Sequence, residues 1–261
     1  MKKTFWALIM AFSLITFSVP AALAVPIAYY PLDGDFNDAS GNGYNLTWGS
    51  NFQYSWVEGN YGQAVDIQWQ QAYNRSKESP NVNGLYYPGS GGWTVMGWVL
   101  VEDIGTGTYI IQQFTPLWTH HEPYRLDIKS TGIFNFRVEA ADTTRINVTY
   151  PIDEYVGEWT HVCGVYNYAT SGQLYINGQL RAEIPTTIIP QKLTTYNTYI
   201  GGNTWGSECE ATLDDIKVFN YALTEGEVQA AMANPIPEPA TVLLIGTGLV
   251  GLVGFRKRFG K

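Results

Sequence analysis

From residue 25 to residue 233 the chain is a succession of short apolar or alternating runs, nearly every one closed by glycine or asparagine. A period of two puts successive side chains on opposite faces of a strand, so runs of this kind build sheets. WTVMGWVLV is apolar on both faces, as a strand in the middle of a sandwich must be, whereas FNFRVEA places Phe134, Phe136 and Val138 on one side. QLYINGQLRA holds the clearest reversal: Asn177-Gly178 supplies the two positive-φ residues of a type I′ turn and so fixes a hairpin register. One short helix is expected over EGEVQAAMA. Thr224 and Glu227 form a capping box at its start, Leu223 and Val228 take hydrophobic-staple positions, and Asn234-Pro235 stop it. No internal repeat interrupts this order, and the length suits a single all-β domain.

The two ends have a different character. Lys2 and Lys3 precede FWALIMAFSLITF and the small residues Ala22-Leu23-Ala24, the order of a secretory signal peptide, so signal peptidase is expected to remove residues 1–24 and leave Val25 first. Near the other terminus Pro237-Glu238-Pro239 leads into ATVLLIGTGLVGLVGF, uncharged from Ala240 to Phe255, and then RKRFGK. As a transmembrane helix that run rises roughly 24 Å, somewhat short of a hydrocarbon core of about 30 Å. The positive-inside rule keeps Arg256, Lys257, Arg258 and Lys261 in the cytoplasm and everything before Pro237 on the far side. Triplet, short apolar span and basic stop, in that order, resemble the PEP-CTERM sorting signal of Gram-negative bacteria. The resemblance implies that residues 234–261 are recognised and cut by an exosortase, and that the protein is exported to the envelope, outer surface or extracellular matrix, among extracellular polysaccharide. A plain C-terminal membrane anchor is the alternative.

Six of the 15 basic residues and one of the 23 acidic residues lie in these ends, which leaves nine against 22 and a net charge of −13 for residues 25–236. Such a domain is repelled by phosphate and gains nothing from counterion release, which disfavours nucleic acid and anionic lipid as partners. Neutral sugars or calcium suit an acidic, Tyr- and Trp-rich surface better, and plain solubility outside the cell is the competing explanation. Export also permits a disulfide between Cys163 and Cys209, worth on the order of 3 to 4 kcal/mol in the chain-entropy model; two separate buried thiols are the alternative. Their spacing is not that of a zinc site.

The opening AYYPLDGDFNDASGNGYNLT, the central GEWTHVCGVYNYATSGQLYINGQLRA, and the closing YIGGNTWG with LDDIKVFNYALTEGEV resemble, in that order, a laminin-G-like, concanavalin A-like domain covering most of residues 27–233. The resemblance implies an all-β, concanavalin A-like jelly-roll sandwich of two antiparallel sheets, with the first and last strands adjacent and one short C-terminal helix. It says little about activity, because this scaffold carries lectins, adhesion modules and glycosidases alike.

Three kinds of site are conceivable. Asp33, Asp35 and Asp38 lie in a loop ending Ser40-Gly41-Asn42-Gly43, where carboxylates and turned-in carbonyls suit a hard cation. The family resemblance implies a structural calcium between that loop and the LDD strand, matching Asp38, with Asp33 and Asp214 as further candidates; an Asx-rich solvated turn is the alternative. Catalysis is not expected. Glycosidases on this scaffold present E-x-D-x-E on one strand, and the nearest approach, Glu208 and Glu210, continues into Thr212 and Asp214 on a segment matching a non-catalytic strand. His161 falls within a strand, and His120-His121 have too few partners for zinc. Sugar binding would need exposed aromatics, and Trp118 and Trp205, in turn-rich stretches, are the best placed. The expected role is therefore a noncatalytic binding or adhesion module for extracellular glycans, with a glycoside hydrolase or a purely structural surface protein as the alternatives.

Overall fold

The computed structural model describes residues 24–47, 54–67, 81–83, 85, 91–105, 107–114, 122–190, 197–202 and 211–233. The expected signal peptide up to Leu23, the Pro237-Glu238-Pro239 tail, Trp118, Trp205 and Cys209 lie outside the described residues. The strands in chain order are β1 (Ala28–Tyr30), β2 (Tyr54–Glu58), β3 (Gln63–Ile67), β4 (Asn81–Asn83), β5 (Trp93–Leu100), β6 (Thr108–Phe114) and β7 (Tyr124–Lys129). They continue as β8 (Ile133–Glu139), β9 (Arg145–Pro151), β10 (Thr160–Asn167), β11 (Ser171–Ile176), β12 (Gln179–Pro185), β13 (Asn197–Ile200) and β14 (Ala211–Phe219), and helix α1 (Glu225–Ala233) closes the domain.

Two antiparallel sheets result. One runs β12-β11-β10-β5-β14-β3-β2, with β1 also paired to β14; the other runs β4-β13-β6-β7-β8-β9. The first and last strands are therefore neighbours, Ala28 facing Val218 and Tyr30 facing Ile216. Asn177 and Gly178 have φ values of 50° and 74°, so the NG reversal takes the type I′ form that its sequence demands. Helix α1 begins where the capping box sets it: Thr224 N–H donates to Glu227 Oε2 at 2.8 Å, and Glu227 N–H returns to Thr224 Oγ1 at 3.4 Å. Leu223 and Val228 are buried together with Met96, Cys163, Val165, Tyr175 and Phe219, a small cluster that seats the helix on the eight-stranded sheet. Cys163 carries a free thiol within that cluster.

The main core lies between the sheets, where Trp93, Val95, Val99 and Leu213 of one pack with Leu126, Phe134, Phe136 and Val148 of the other. Gly164 of β10 allows the sheets to approach, because a Cβ there would stand 2.3 Å from the Phe136 ring. An alanine must push the buried Phe136 ring off its seat. Gly164→Ala should therefore lower stability by about 1 to 3 kcal/mol in urea unfolding. Gly226→Ala, in open space within helix α1, should leave stability unchanged or raise it by up to about 1 kcal/mol.

Candidate functional site

The acidic loop after β1 is organised by one carboxylate. Asp38 Oδ1 accepts from the N–H groups of Tyr29 at 3.0 Å and Ser40 at 2.9 Å, and Oδ2 accepts from Tyr44 N–H at 3.0 Å and the Ser40 hydroxyl at 2.8 Å. Asp33 and Asp214 act elsewhere, on the turn joining β2 to β3. Asp33 Oδ1 accepts from Gln63 N–H at 2.6 Å, and Asp214 Oδ2 from Tyr61 N–H at 2.9 Å. Burial pushes the Asp214 carboxyl up to about 7; the Tyr61 N–H opposes this, and the charges of Asp215 and Asp33 add to it. The structure thus brings Asp33 near Asp214 and gives Asp38 a different task. Among the described residues no group of three or more His, Cys, Asp or Glu side chains is arranged to hold a metal ion.

A denser polar constellation covers the outward face of the six-stranded sheet. Tyr124, Leu126 and Ile128 of β7 and Phe134, Phe136 and Val138 of β8 point into the core, so Arg125, Asp127, Asn135 and Arg137 point away from it. Register sets Arg125 opposite Arg137, Asp127 opposite Asn135, and Arg137 opposite Asn147 of β9. Two like charges directly across a strand pair repel. Glu122 resolves the conflict, because its Oε2 accepts from Arg125 Nη1 at 2.9 Å and from Arg137 Nη1 at 2.7 Å. Arg125 Nε and Asn135 Nδ2 both donate to Asp127 Oδ1, at 3.0 and 2.5 Å, and Arg137 Nε donates to Asn147 Oδ1 at 3.1 Å. The Arg125 guanidinium also lies 5.2 Å from the centre of the Tyr109 ring.

The two arginines are not equally compensated. Burial lowers the Arg125 pKa, yet Asp127 and Glu122 outweigh it and the net shift is upward; for Arg137, burial and then the charge of Arg125 bring it down. Beside them, Gln112 of β6 stands opposite Arg125 and donates Nε2–H to the Gly202 carbonyl at 2.7 Å. The amide nitrogens of Gln112 and Asn135 are thereby committed as donors, which identifies the remaining atoms as oxygens. Gln112 Oε1 and Asn135 Oδ1 are buried and accept nothing among the described residues. The face grades outward from these groups to half-buried Asn147 and exposed Arg145 and Thr149 on β9. None of these residues was a sequence candidate. The available signal was the alternation in YRLDIK and FNFRVE, which places Arg, Asp, Asn and Arg on one face.

A family model described as the concanavalin A-like lectin/glucanases superfamily matches residues 72–229. The chain belongs to this superfamily. A second model, the PEP-CTERM protein-sorting motif, matches residues 235–258, which include Pro237-Glu238-Pro239, and marks a secreted protein sorted to the cell envelope. No curated protein matches the chain. Among solved structures, the binding domain of Paraclostridial Mosquitocidal Protein 1 is similar at 17% identity and a TM-score of 0.62, over 78% of this chain and 51% of that one. The Botulinum Neurotoxin serotype G binding domain is similar at 13% identity and a TM-score of 0.60, over 78% and 50%. The ligand binding domain of botulinum neurotoxin serotype D, in complex with N-acetylneuraminic acid, is similar at 16% and 0.60, over 80% and 51%. This concanavalin A-like chain spans about half the length of those three, and the likeness is one of fold.

Asp38→Ala removes the shared acceptor of four donors in the first loop and should cost about 2 kcal/mol of unfolding free energy. The loss should persist in chelator, as measured by paired urea melts; a loss confined to calcium buffer contradicts the loop-organising role.

Proposed function

We propose that this exported concanavalin A-like domain is a noncatalytic carbohydrate-binding module whose ligand lies on the outward face of the six-stranded sheet. One observation carries the reading: two buried amide oxygens, on Gln112 and Asn135, await hydrogen-bond donors beside a fixed row of guanidinium and carboxylate groups. A glycan supplies hydroxyl donors for such oxygens and hydroxyl or ring oxygens for the arginines. Tyr109, already under Arg125, adds an aromatic surface. The similarity in fold to a toxin domain in complex with N-acetylneuraminic acid supports a sugar as ligand, and the sorting motif supports an envelope setting for it.

Charge supports the same assignment. Four of the nine cations in residues 25–236, Arg125, Lys129, Arg137 and Arg145, belong to β7, β8 and β9 and alternate to this face, against Glu122, Asp127 and Glu139. The face is nearly balanced although the domain is strongly acidic, so neutral and mildly acidic glycans are both admitted. The alternative, glycoside hydrolysis, rests on Glu139, whose carboxyl is raised chiefly by burial. Glu122 and Asp127 accept hydrogen bonds from the arginines, which commits them to the network and leaves no second carboxyl on this face free for proton transfer.

A glycan array with the exported protein, followed by titration of the hits, tests the module. Arg137→Ala and Asn147→Ala should each weaken binding about tenfold, roughly 1.4 kcal/mol, and no hit should be hydrolysed. Trp118→Ala and Trp205→Ala, tested on the same hits, report whether those aromatics share the ligand. Binding that survives both sheet variants and fails in the tryptophan variants moves the site off the sheet.

Processing by an exosortase is part of the same proposal. Replacing Pro237-Glu238-Pro239 with alanines should leave uncleaved precursor in the membrane, whereas the exported wild-type protein should lack the apolar span when its mass is measured. A mature chain that still ends at Lys261 rejects the cleavage.

A further inference from the structure

A second row of groups crosses the eight-stranded sheet on the face turned away from the core. Register sets Asp214 of β14 opposite Trp98 of β5, and Trp98 opposite His161 of β10, so three side chains from three adjacent strands stand in line. The Trp98 and His161 rings meet edge to face with centroids 5.3 Å apart. Tyr61, from the turn joining β2 to β3, meets Trp98 in the same manner at 6.0 Å while its N–H holds Asp214 Oδ2 at 2.9 Å. Asp214 is 0% exposed and His161 1%, whereas Trp98 and Tyr61 are half-buried and are the members of the group that reach solvent.

Every member of this row carries one buried polar atom without a hydrogen-bond partner among the described residues: Asp214 Oδ1, Trp98 Nε1 and His161 Nδ1. Such atoms are few in folded proteins, and three in line call for a common explanation. The indole nitrogen is a fixed donor, the Asp214 oxygen accepts when ionised and can donate when its raised carboxyl is protonated, and the imidazole nitrogen takes either role according to its tautomer. Burial, with the charge of Lys217, pushes the His161 pKa down to about 3, so the ring is neutral. Lys217 itself is engaged with Asp215 Oδ2 and the Ala231 carbonyl, both at 2.9 Å. The row therefore complements a ligand that gives and accepts hydrogen bonds at adjacent atoms and presents an apolar edge to two aromatic rings. Two neighbouring hydroxyls of a pyranose have that character. An apolar peptide would leave all three atoms unsatisfied, and a metal ion would meet an N–H donor in its own coordination shell.

We propose that Asp214, Trp98, His161 and Tyr61 form a second carbohydrate site, on the opposite sheet from the polar face and independent of it, which takes a terminal pyranose through two adjacent hydroxyls.

The test is an NMR titration of the exported protein, in chelator so that no divalent cation contributes. The probes are methyl pyranosides of gluco, manno and galacto configuration and methyl glucuronide. The chain has only three histidines, so His161→Gln identifies the imidazole signals, and Trp98→Phe identifies the indole N–H. At least one pyranoside should shift the Trp98 and His161 signals together along one saturation curve, in wild-type and Arg137→Ala protein alike. Trp98→Phe, which keeps a ring and loses the donor, should weaken that affinity about tenfold. If Trp98→Phe does not fold, the wild-type titration decides alone. Signals unmoved by all four probes up to about 50 mM, where a millimolar site is saturated, overturn the proposal. A shift that disappears in Arg137→Ala overturns its independence from the polar face.

Discussion

A buried ion pair holds the two ends of this domain together. Lys217 Nζ lies 2.9 Å from Asp215 Oδ2, with both side chains 2% exposed, and it also donates to the Ala231 carbonyl at the end of helix α1 and lies 5.2 Å from the centre of the Tyr29 ring in β1. A lysine so deeply buried is tolerable only while its charge is matched, and breaking such a pair costs about 3 to 5 kcal/mol. The bulge between Asp214 and Lys217 makes the arrangement possible. In a regular strand residues three apart face opposite sides, but here the register shift, with Asp215 at φ 57°, turns Asp214 and Lys217 to the same outward face. Ile216 turns inward, and Gly97 on β5 leaves it room, since a Cβ there would stand 2.2 Å from the Ile216 side chain. One irregularity in the last strand thus places the ion pair, the helix seat and Asp214.

The same sandwich solves two electrostatic problems in different ways. On the six-stranded sheet, Arg125 and Arg137 face each other and are reconciled by one oxygen of Glu122. Removing that carboxylate would leave two guanidinium groups opposed on a largely buried surface, so Glu122 is as much a part of the face as the arginines it bridges. On the eight-stranded sheet, the charged groups sit beneath aromatic neighbours, with Tyr61 and Trp98 beside Asp214 and Tyr29 beside Lys217. The first face is a connected polar network. The second is an aromatic row with isolated polar atoms.

Local features were legible in the sequence because their causes are local. Asn177-Gly178 can satisfy both positive φ values of its turn, and Thr224 with Glu227 can close a capping box, whatever the rest of the chain does. The resemblance of the opening and closing segments carried the pairing of β1 with β14, a contact that spacing alone does not disclose. The sites were less legible. The alternation in YRLDIK and FNFRVE reads equally well as an ordinary solvated face, and only register shows that Arg125 meets Arg137 and Asp127 meets Asn135. Trp98 lies in a run apolar on both faces and reads as core, and its neighbours Asp214 and His161 come from strands far away in the chain. Asp38 shows the reverse difficulty. Its place in an Asx-rich turn was visible, but its part in organising that turn depends on donors at Tyr29 and Tyr44 that face it only once the loop is closed.

Unspent hydrogen-bonding capacity links the fold to its role. A buried polar atom without a partner costs about 1 to 3 kcal/mol, and a free fold tolerates several only if its core is ample, as it is between these sheets. Binding returns that cost when the ligand offers the missing group, and a ligand that lacks it gains nothing for entering the site. Selection therefore follows from which atoms are left over. Gln112 and Asn135 leave oxygens, so under the proposed function the polar face would discriminate in favour of donors and against any analogue whose hydroxyl has been removed or methylated. Arg137, whose carboxylate partner Glu122 is shared with Arg125, would favour an oxygen-rich partner beside those donors. Hydroxyl donors and oxygen acceptors on adjacent atoms are what a sugar ring presents, which is the physical ground for the proposal that this face reads a hydroxylated surface.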